Sequence, residues 1–210
     1  MSLAQFIAGA GALFVGAATV SQGWLSVAET MGRGGTLAWG VWLYLCYFTV
    51  LTNCFVVLVL ARAALKPGDR TGLNAPRVEL MAAISILFVG AVYNLLLASQ
   101  WDPQGLRKFN DVILHNVSPI LFAMFWFVRR GGALTWRDAL FTAMWPLAYT
   151  IYGQTRGALD GVYPYFFTDP TRLSWTQVLL NMAGLMAAFF VGALALVTLD
   201  RALRTARAHA

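Results

Sequence analysis

Three groups of polar residues recur at helical spacing within otherwise apolar stretches of this 210-residue sequence. Residues three, four or seven positions apart lie on one face of a helix, so each group can present its side chains together. The groups are Thr49, Thr52 and Asn53; Asp111, His115 and Ser118; and Tyr149, Tyr152 and Arg156. They supply hydroxyls, an imidazole beside a carboxylate, and a guanidinium, which can exchange protons, bind an anion or form hydrogen bonds between helices.

His115 is the candidate general base, because imidazole changes its charge near neutral pH and no other histidine lies within an apolar segment. A hydroxyl nucleophile needs such a base within hydrogen-bond reach. Asp111, one helical turn before His115, could hold the imidazole in the useful tautomer. The alternative is structural, with Thr49 bonded to its own helix backbone and His115 anchoring a polar network.

Further polar residues fall at a similar depth in the neighbouring apolar segments. The candidate substrate-binding residues are Thr52, Asn53, Asn94, Asp111, Tyr149, Tyr152, Arg156 and Asn181. Among them Asn53, Asn94 and Arg156 could also donate hydrogen bonds to an oxyanion. Polar groups at this depth are costly in lipid unless they face the bundle interior or a wet cavity. The pattern therefore predicts a pocket open toward one side of a membrane.

The composition indicates that these polar residues are positioned by membrane-spanning helices. Hydrophobic residues make up 59% of the chain and charged residues 11%, whereas a soluble domain is about a quarter charged. Six apolar segments can each cross about 30 Å of hydrocarbon as a helix. They cover approximately residues 3–28, 38–62, 80–101, 109–128, 138–156 and 174–199. We expect an all-α, polytopic membrane protein whose residues 1–210 form a single six-helix transmembrane domain, which excludes a soluble enzyme domain.

The number and positions of the cysteine and histidine residues disfavour a disulfide, a haem and a metal site. Cys46 and Cys54 lie about 12 Å apart along one helix, too far for a disulfide. One histidine within the spans cannot supply a bis-histidine haem, and Asp111 is the only carboxylate within a turn of it. We therefore expect no metal, no cofactor and no nucleic acid. Small-residue stripes in the first and last segments would permit a homo-oligomer.

Orientation follows from the basic residues, since Lys and Arg accumulate on the cytoplasmic side. Ten lie on the side of the chain termini and five on the other side. Both termini are therefore predicted to be cytoplasmic. An Ala- and Arg-rich composition without a targeting signal favours a bacterial inner membrane.

Three short motifs resemble segments of one known family of membrane proteins. Tyr47-Phe48-Thr49-Val50-Leu51 resembles its Tyr-x-Thr-x-Leu segment, and His115 falls where the family has its membrane histidine. Val162-Tyr163-Pro164-Tyr165 resembles its Val-Tyr-Pro-Phe segment before the last span. These segments are typical of the androgen-induced protein family of membrane threonine hydrolases. The resemblance implies a small bacterial member that hydrolyses esters of hydroxy fatty acids, with Thr49 and His115 as the catalytic pair. A second threonine, Thr52, directly precedes Asn53, so Thr49 and Thr52 both stay candidates for the nucleophile.

Two classes of function are left by these observations. The first is a membrane-embedded hydrolase of lipid or fatty acyl esters. The second is a non-catalytic membrane protein that binds a lipid or a small molecule. Transport is disfavoured, because no predicted span has an acidic residue at its middle.

The predicted topology can be tested with reporter fusions. An alkaline phosphatase fused after Ala210 should be inactive, because this enzyme folds only on the outer side of a bacterial inner membrane. A fusion within the loop that follows Asp102 should be active. Activity of the C-terminal fusion would contradict a cytoplasmic C-terminus.

Overall fold

The computed structural model describes residues 1–131 and 133–208, so His209 lies outside the described part of the chain. The described residues form nine α-helices and no strand. The helices are α1 Leu3–Gly32, α2 Leu37–Tyr44, α3 Phe48–Leu65, α4 Pro76–Val92, α5 Leu106–Val112, α6 Ser118–Arg129, α7 Trp136–Thr142, α8 Met144–Asp160 and α9 Trp175–Ala208. The predicted all-α class is confirmed.

Five helical segments of the described chain are long and apolar enough to cross a membrane. They are Leu3–Gly32, Phe48–Leu65, Pro76–Gln100, Leu106–Arg129 and Trp175–Thr205. The remaining apolar segment, predicted at 138–156, is divided at Ala143 between α7 and α8. Pro146 accounts for the division, because proline has no amide hydrogen and clashes with the carbonyl four residues earlier. A sixth crossing stays a prediction.

Helix α4 lies at the centre of the bundle, where it packs against α3, α6, α7 and α9. Its Leu80 and Ile86 are fully buried together with Phe122 of α6 and Phe189 of α9. Helix α1 packs along α3 on the other side. The outward faces remain apolar and exposed, as expected of helices that face lipid.

The segment predicted as one span at 38–62 is broken between α2 and α3. The break removes the helical partners of the Leu45 and Cys46 carbonyls. Tyr152 Oη donates to the Leu45 carbonyl at 3.1 Å, and Tyr149 Oη donates to the Cys46 carbonyl at 2.8 Å. Unpaired backbone groups are costly in hydrocarbon, so two predicted substrate-binding tyrosines help to stabilise the break.

Two π-helical turns meet on the same side of the bundle, one at Tyr93–Leu97 after α4 and one at Ile113–Val117 between α5 and α6. Gly90 permits this approach, because a Cβ atom there would lie 3.0 Å from the His115 carbonyl oxygen. Such turns often occur at functional sites, since they alter which backbone carbonyls are free.

A buried ion-pair cluster lies at the end of the bundle opposite the α2–α3 break and the two π turns. Glu79 of α4 is 1% exposed. It accepts from Arg129 Nε at 2.7 Å and from Arg70 Nη1 at 3.0 Å. Arg129 also donates to the carbonyl oxygens of Pro67 and Asp69, both at 2.8 Å. The cluster ties α4, α6 and the α3–α4 loop together. Neither composition nor helical spacing predicts it, because its members lie far apart along the chain.

Removal of either tyrosine hydroxyl at the helix break should destabilise the fold. Tyr149→Phe and Tyr152→Phe each leave a carbonyl without its donor, and we expect a loss of about 1–3 kcal/mol in the free energy of unfolding. Unfolding in mixed micelles measures this loss. Tyr163→Phe is the matched control, because the Tyr163 ring packs on Gly157 while its hydroxyl makes no hydrogen bond among the described residues. Equal stability of all three variants would contradict this role.

Candidate active site

A cavity of about 100 Å³ lies within the described part of the bundle. Its walls come from the start of α3, the end of α4, helices α8 and α9, and the loop between α8 and α9. Most of the wall is apolar or aromatic, including Phe88, Val92, Met182 and Met186. An apolar cavity of this kind favours a hydrocarbon ligand, because its wall has few groups that could form hydrogen bonds with water.

Thr49 lies on the wall of this cavity, in the first turn of α3. The Tyr165 hydroxyl accepts from the amide of Phe48, the residue before Thr49, at 2.9 Å, and Tyr165 lines the same cavity. Burial raises the pKa of Tyr165 to about 12, so this hydroxyl keeps its proton at physiological pH. Thr49 and Tyr165 thus form a pair of hydroxyls at the cavity wall. Tyr165 was not among the predicted site residues, although it follows Pro164 in the motif before the last span.

His115 and Asp111 form a second polar cluster. The Nδ1 atom of His115 lies 3.1 Å from Asp111 Oδ1 and 3.0 Å from the Asp111 carbonyl oxygen. Tyr93 Oη donates to Asp111 Oδ2 at 2.6 Å and accepts from Trp101 Nε1 at 3.3 Å. Two acceptors beside Nδ1 favour the neutral tautomer that is protonated there. This tautomer leaves the Nε2 lone pair free to act as a base.

Tyr93 is the residue that connects the two clusters. Its ring stacks on the His115 ring, with centroids 3.7 Å apart and planes at 12°. Tyr93 also lines the cavity, whereas His115 does not. Among the described residues, no hydrogen bond joins His115 to Thr49 or Thr52. The structure therefore brings His115 together with Asp111 as predicted, but it places Tyr93 between this pair and the cavity.

Several predicted binding residues are engaged elsewhere in the bundle. Thr52 accepts from Trp145 Nε1 at 3.0 Å. Asn53 donates to the Leu114 carbonyl, 3.2 Å away in the second π turn. Asn94 donates to Asn116 Oδ1 at 2.9 Å, which links the two π turns. The cavity wall includes none of these predicted residues.

Asn181 and Arg156 also have intramolecular partners. Asn181 donates to the Phe167 carbonyl at 2.8 Å and so holds the loop between α8 and α9. Arg156 is 2% exposed, pairs through Nε with Asp160 at 3.1 Å, and stacks on the Trp42 ring. Both terminal nitrogens of Arg156 are buried, and neither has a hydrogen-bond partner among the described residues. Of the predicted binding residues, Tyr149 alone lines the cavity.

No protein-family model, curated protein or solved structure matches this chain. Within the described residues, no group of three His, Cys, Asp or Glu side chains could hold a metal ion. The side chains around the cavity and around His115 are therefore the basis for a proposed function.

The tautomer of His115 provides a direct test of the second cluster. In a His209→Gln protein, His115 is the only imidazole of the chain, and its ¹⁵N shifts should show a proton on Nδ1 when the ring is neutral. The expected cause is the pair of acceptors that Asp111 places beside this atom. A neutral ring protonated on Nε2 would contradict the assignment of His115 as a base through Nε2.

Proposed function

We propose that this protein is a membrane-embedded hydrolase that binds the acyl chain of a lipid ester in the cavity and cleaves the ester there. One observation carries the proposal. Thr49, the threonine of the resembling motif, lies on the wall of an apolar cavity. An acyl chain in this cavity would bring its ester carbonyl to a hydroxyl at the polar start of α3.

Thr49 Oγ1 attacks the ester carbonyl in the proposed reaction. The hydroxyl proton passes to His115 and then to the leaving alcohol, and an acyl-threonine remains. Water next attacks this acyl group, releases the fatty acid and returns the proton to Thr49. Because Tyr93 covers His115, the proton moves over a bridging water or after a shift of the Tyr93 ring.

Tyr165 supports the same reaction from the other side of Thr49. Its hydroxyl keeps its proton and lies at the cavity wall, so it can donate to the oxygen on which negative charge develops. Removal of one such donor commonly costs about 10²–10³ in rate. Asp111 holds the His115 tautomer and stabilises the imidazolium that forms.

The proposed placement in the membrane has six crossings, with α7 and α8 together as the fifth. Both termini lie in the cytoplasm, and the cavity lies in the outer half of a bacterial inner membrane. This placement gives lipid esters of the outer leaflet access to the cavity without passage through water.

A second candidate is a lipid-binding protein without catalysis. The separation of His115 from the cavity by Tyr93 favours it, because a threonine without a base in reach is a weak nucleophile. The two candidates share the acyl-binding cavity and differ in whether the bound ester is cleaved.

Both candidates can be tested with purified protein and a panel of fatty acyl esters. We expect release of fatty acid by the unmodified chain and a loss of at least about 10³-fold in Thr49→Ala and His115→Ala. Thr150→Ala is the matched control, because Thr150 also lines the cavity while its hydroxyl donates to the Pro146 carbonyl at 2.8 Å. It should retain most of the activity.

The binding of a non-hydrolysable ether analogue, measured in parallel, separates the outcomes. Binding without hydrolysis in the unmodified chain would leave the second candidate. Full hydrolysis by Thr49→Ala with a loss in Thr52→Ala would move the nucleophile to Thr52. Full hydrolysis by His115→Ala would overturn the mechanism.

A further inference from the structure

The net charge of the protein lies entirely at one end of the bundle. The end that carries the chain termini has ten Lys and Arg residues against four Asp and Glu residues. The opposite end has five of each sign. The whole formal charge of +6 therefore belongs to the first end, called the basic end below.

Three arginines at the basic end lie in or against the short helix α7. Arg137 is part of α7, Arg77 of α4 stacks on the Phe141 ring with 4.8 Å to its centroid, and Arg201 of α9 stacks on the Trp136 ring at 5.3 Å. All three arginines are exposed. We call Arg77, Arg137 and Arg201 the α7 arginines.

The neighbouring acids are engaged by other groups. Asp138 accepts from the Thr135 amide and hydroxyl at 2.7 and 2.8 Å. Glu79 pairs with Arg129 and Arg70, and Asp200 lies 3.2 Å from Arg204. None of the salt bridges among the described residues includes an α7 arginine, whereas Glu79 and Asp200 each have an arginine partner.

Apolar side chains lie directly beside the α7 arginines. Trp136 is 48% exposed and Leu140 is 62% exposed. An indole favours the boundary between headgroups and hydrocarbon, and an exposed leucine favours the acyl region. A free phosphate would contact the arginines alone, whereas a phospholipid contacts both kinds of side chain.

We propose that the α7 arginines and the exposed face of α7 form a binding site for the headgroup phosphate of an anionic phospholipid. The guanidinium groups donate to the phosphodiester oxygens, and Trp136 and Leu140 contact the first part of the acyl chains. The site is independent of the cavity and of the proposed hydrolysis. It would anchor α7, and with it the start of α8, at the membrane surface.

The proposal is tested by comparing lipid binding to the full chain in detergent by native mass spectrometry. The probes are phosphatidylglycerol, phosphatidylcholine and inorganic phosphate. We expect tighter binding of phosphatidylglycerol, weakened by added salt. The triple variant R77Q/R137Q/R201Q should lose at least about tenfold in this affinity, since each basic residue near an anionic surface contributes roughly fivefold.

The charge-matched control is R33Q/K108Q/R172Q, which removes three exposed cations from the opposite end. It should keep the affinity of the unmodified chain. R77K/R137K/R201K preserves the charge and should bind between the unmodified chain and the glutamine variant. It also provides a folded comparison if the glutamine variant does not fold.

Three results would overturn the proposal. These are equal binding of phosphatidylglycerol and phosphatidylcholine, an equal loss in the control variant, or full affinity in the glutamine variant. Equal competition by inorganic phosphate would show that the arginines recognise the phosphate without the lipid, which also contradicts the site as proposed. None of these results depends on whether the chain hydrolyses an ester.

Discussion

The architecture depends on one constraint, which is that backbone polar groups inside a membrane must find partners within the protein. The chain departs from the regular α-helix at the α2–α3 break and at two π turns. Side chains from distant elements satisfy the groups exposed there. Tyr149 and Tyr152 donate to carbonyls at the break, and Asn53 donates to a carbonyl of the second π turn. Much of the polar content of the bundle therefore has a structural role.

This constraint distinguishes the polar residues that stabilise the fold from those that remain available for catalysis or binding. Thr52, Asn53, Asn94 and Asn181 have partners that hold helices, π turns or a loop. Among the described residues, the polar groups without such a structural partner include the Nε2 atom of His115 and the terminal nitrogens of Arg156, and the Thr49 hydroxyl lies beside the cavity. The same irregular backbone places Thr49 and His115, because the α2–α3 break puts Thr49 at the start of α3 and the second π turn contains His115.

The two ends of the bundle are stabilised by different means. Near the cavity, aromatic rings and hydroxyls fill the space between helices. At the basic end, Glu79 joins Arg70 and Arg129 in a buried ion-pair cluster, where loss of one partner would leave an uncompensated buried charge. The α7 arginines lie outside this cluster and are exposed.

The sequence by itself determined the all-α class, the apolar segments long enough to cross a membrane and the pairing of Asp111 with His115. These properties depend on composition or on helical spacing, which are local. Only the tertiary structure decided that the second apolar segment breaks at Leu45–Tyr47, that Tyr93 covers His115 and that Glu79 is buried. Each of these features depends on partners far along the chain, such as Tyr149, whose hydroxyl reaches a carbonyl 103 residues away. Spacing within one helix carries no information about such partners, because helix packing brings them together.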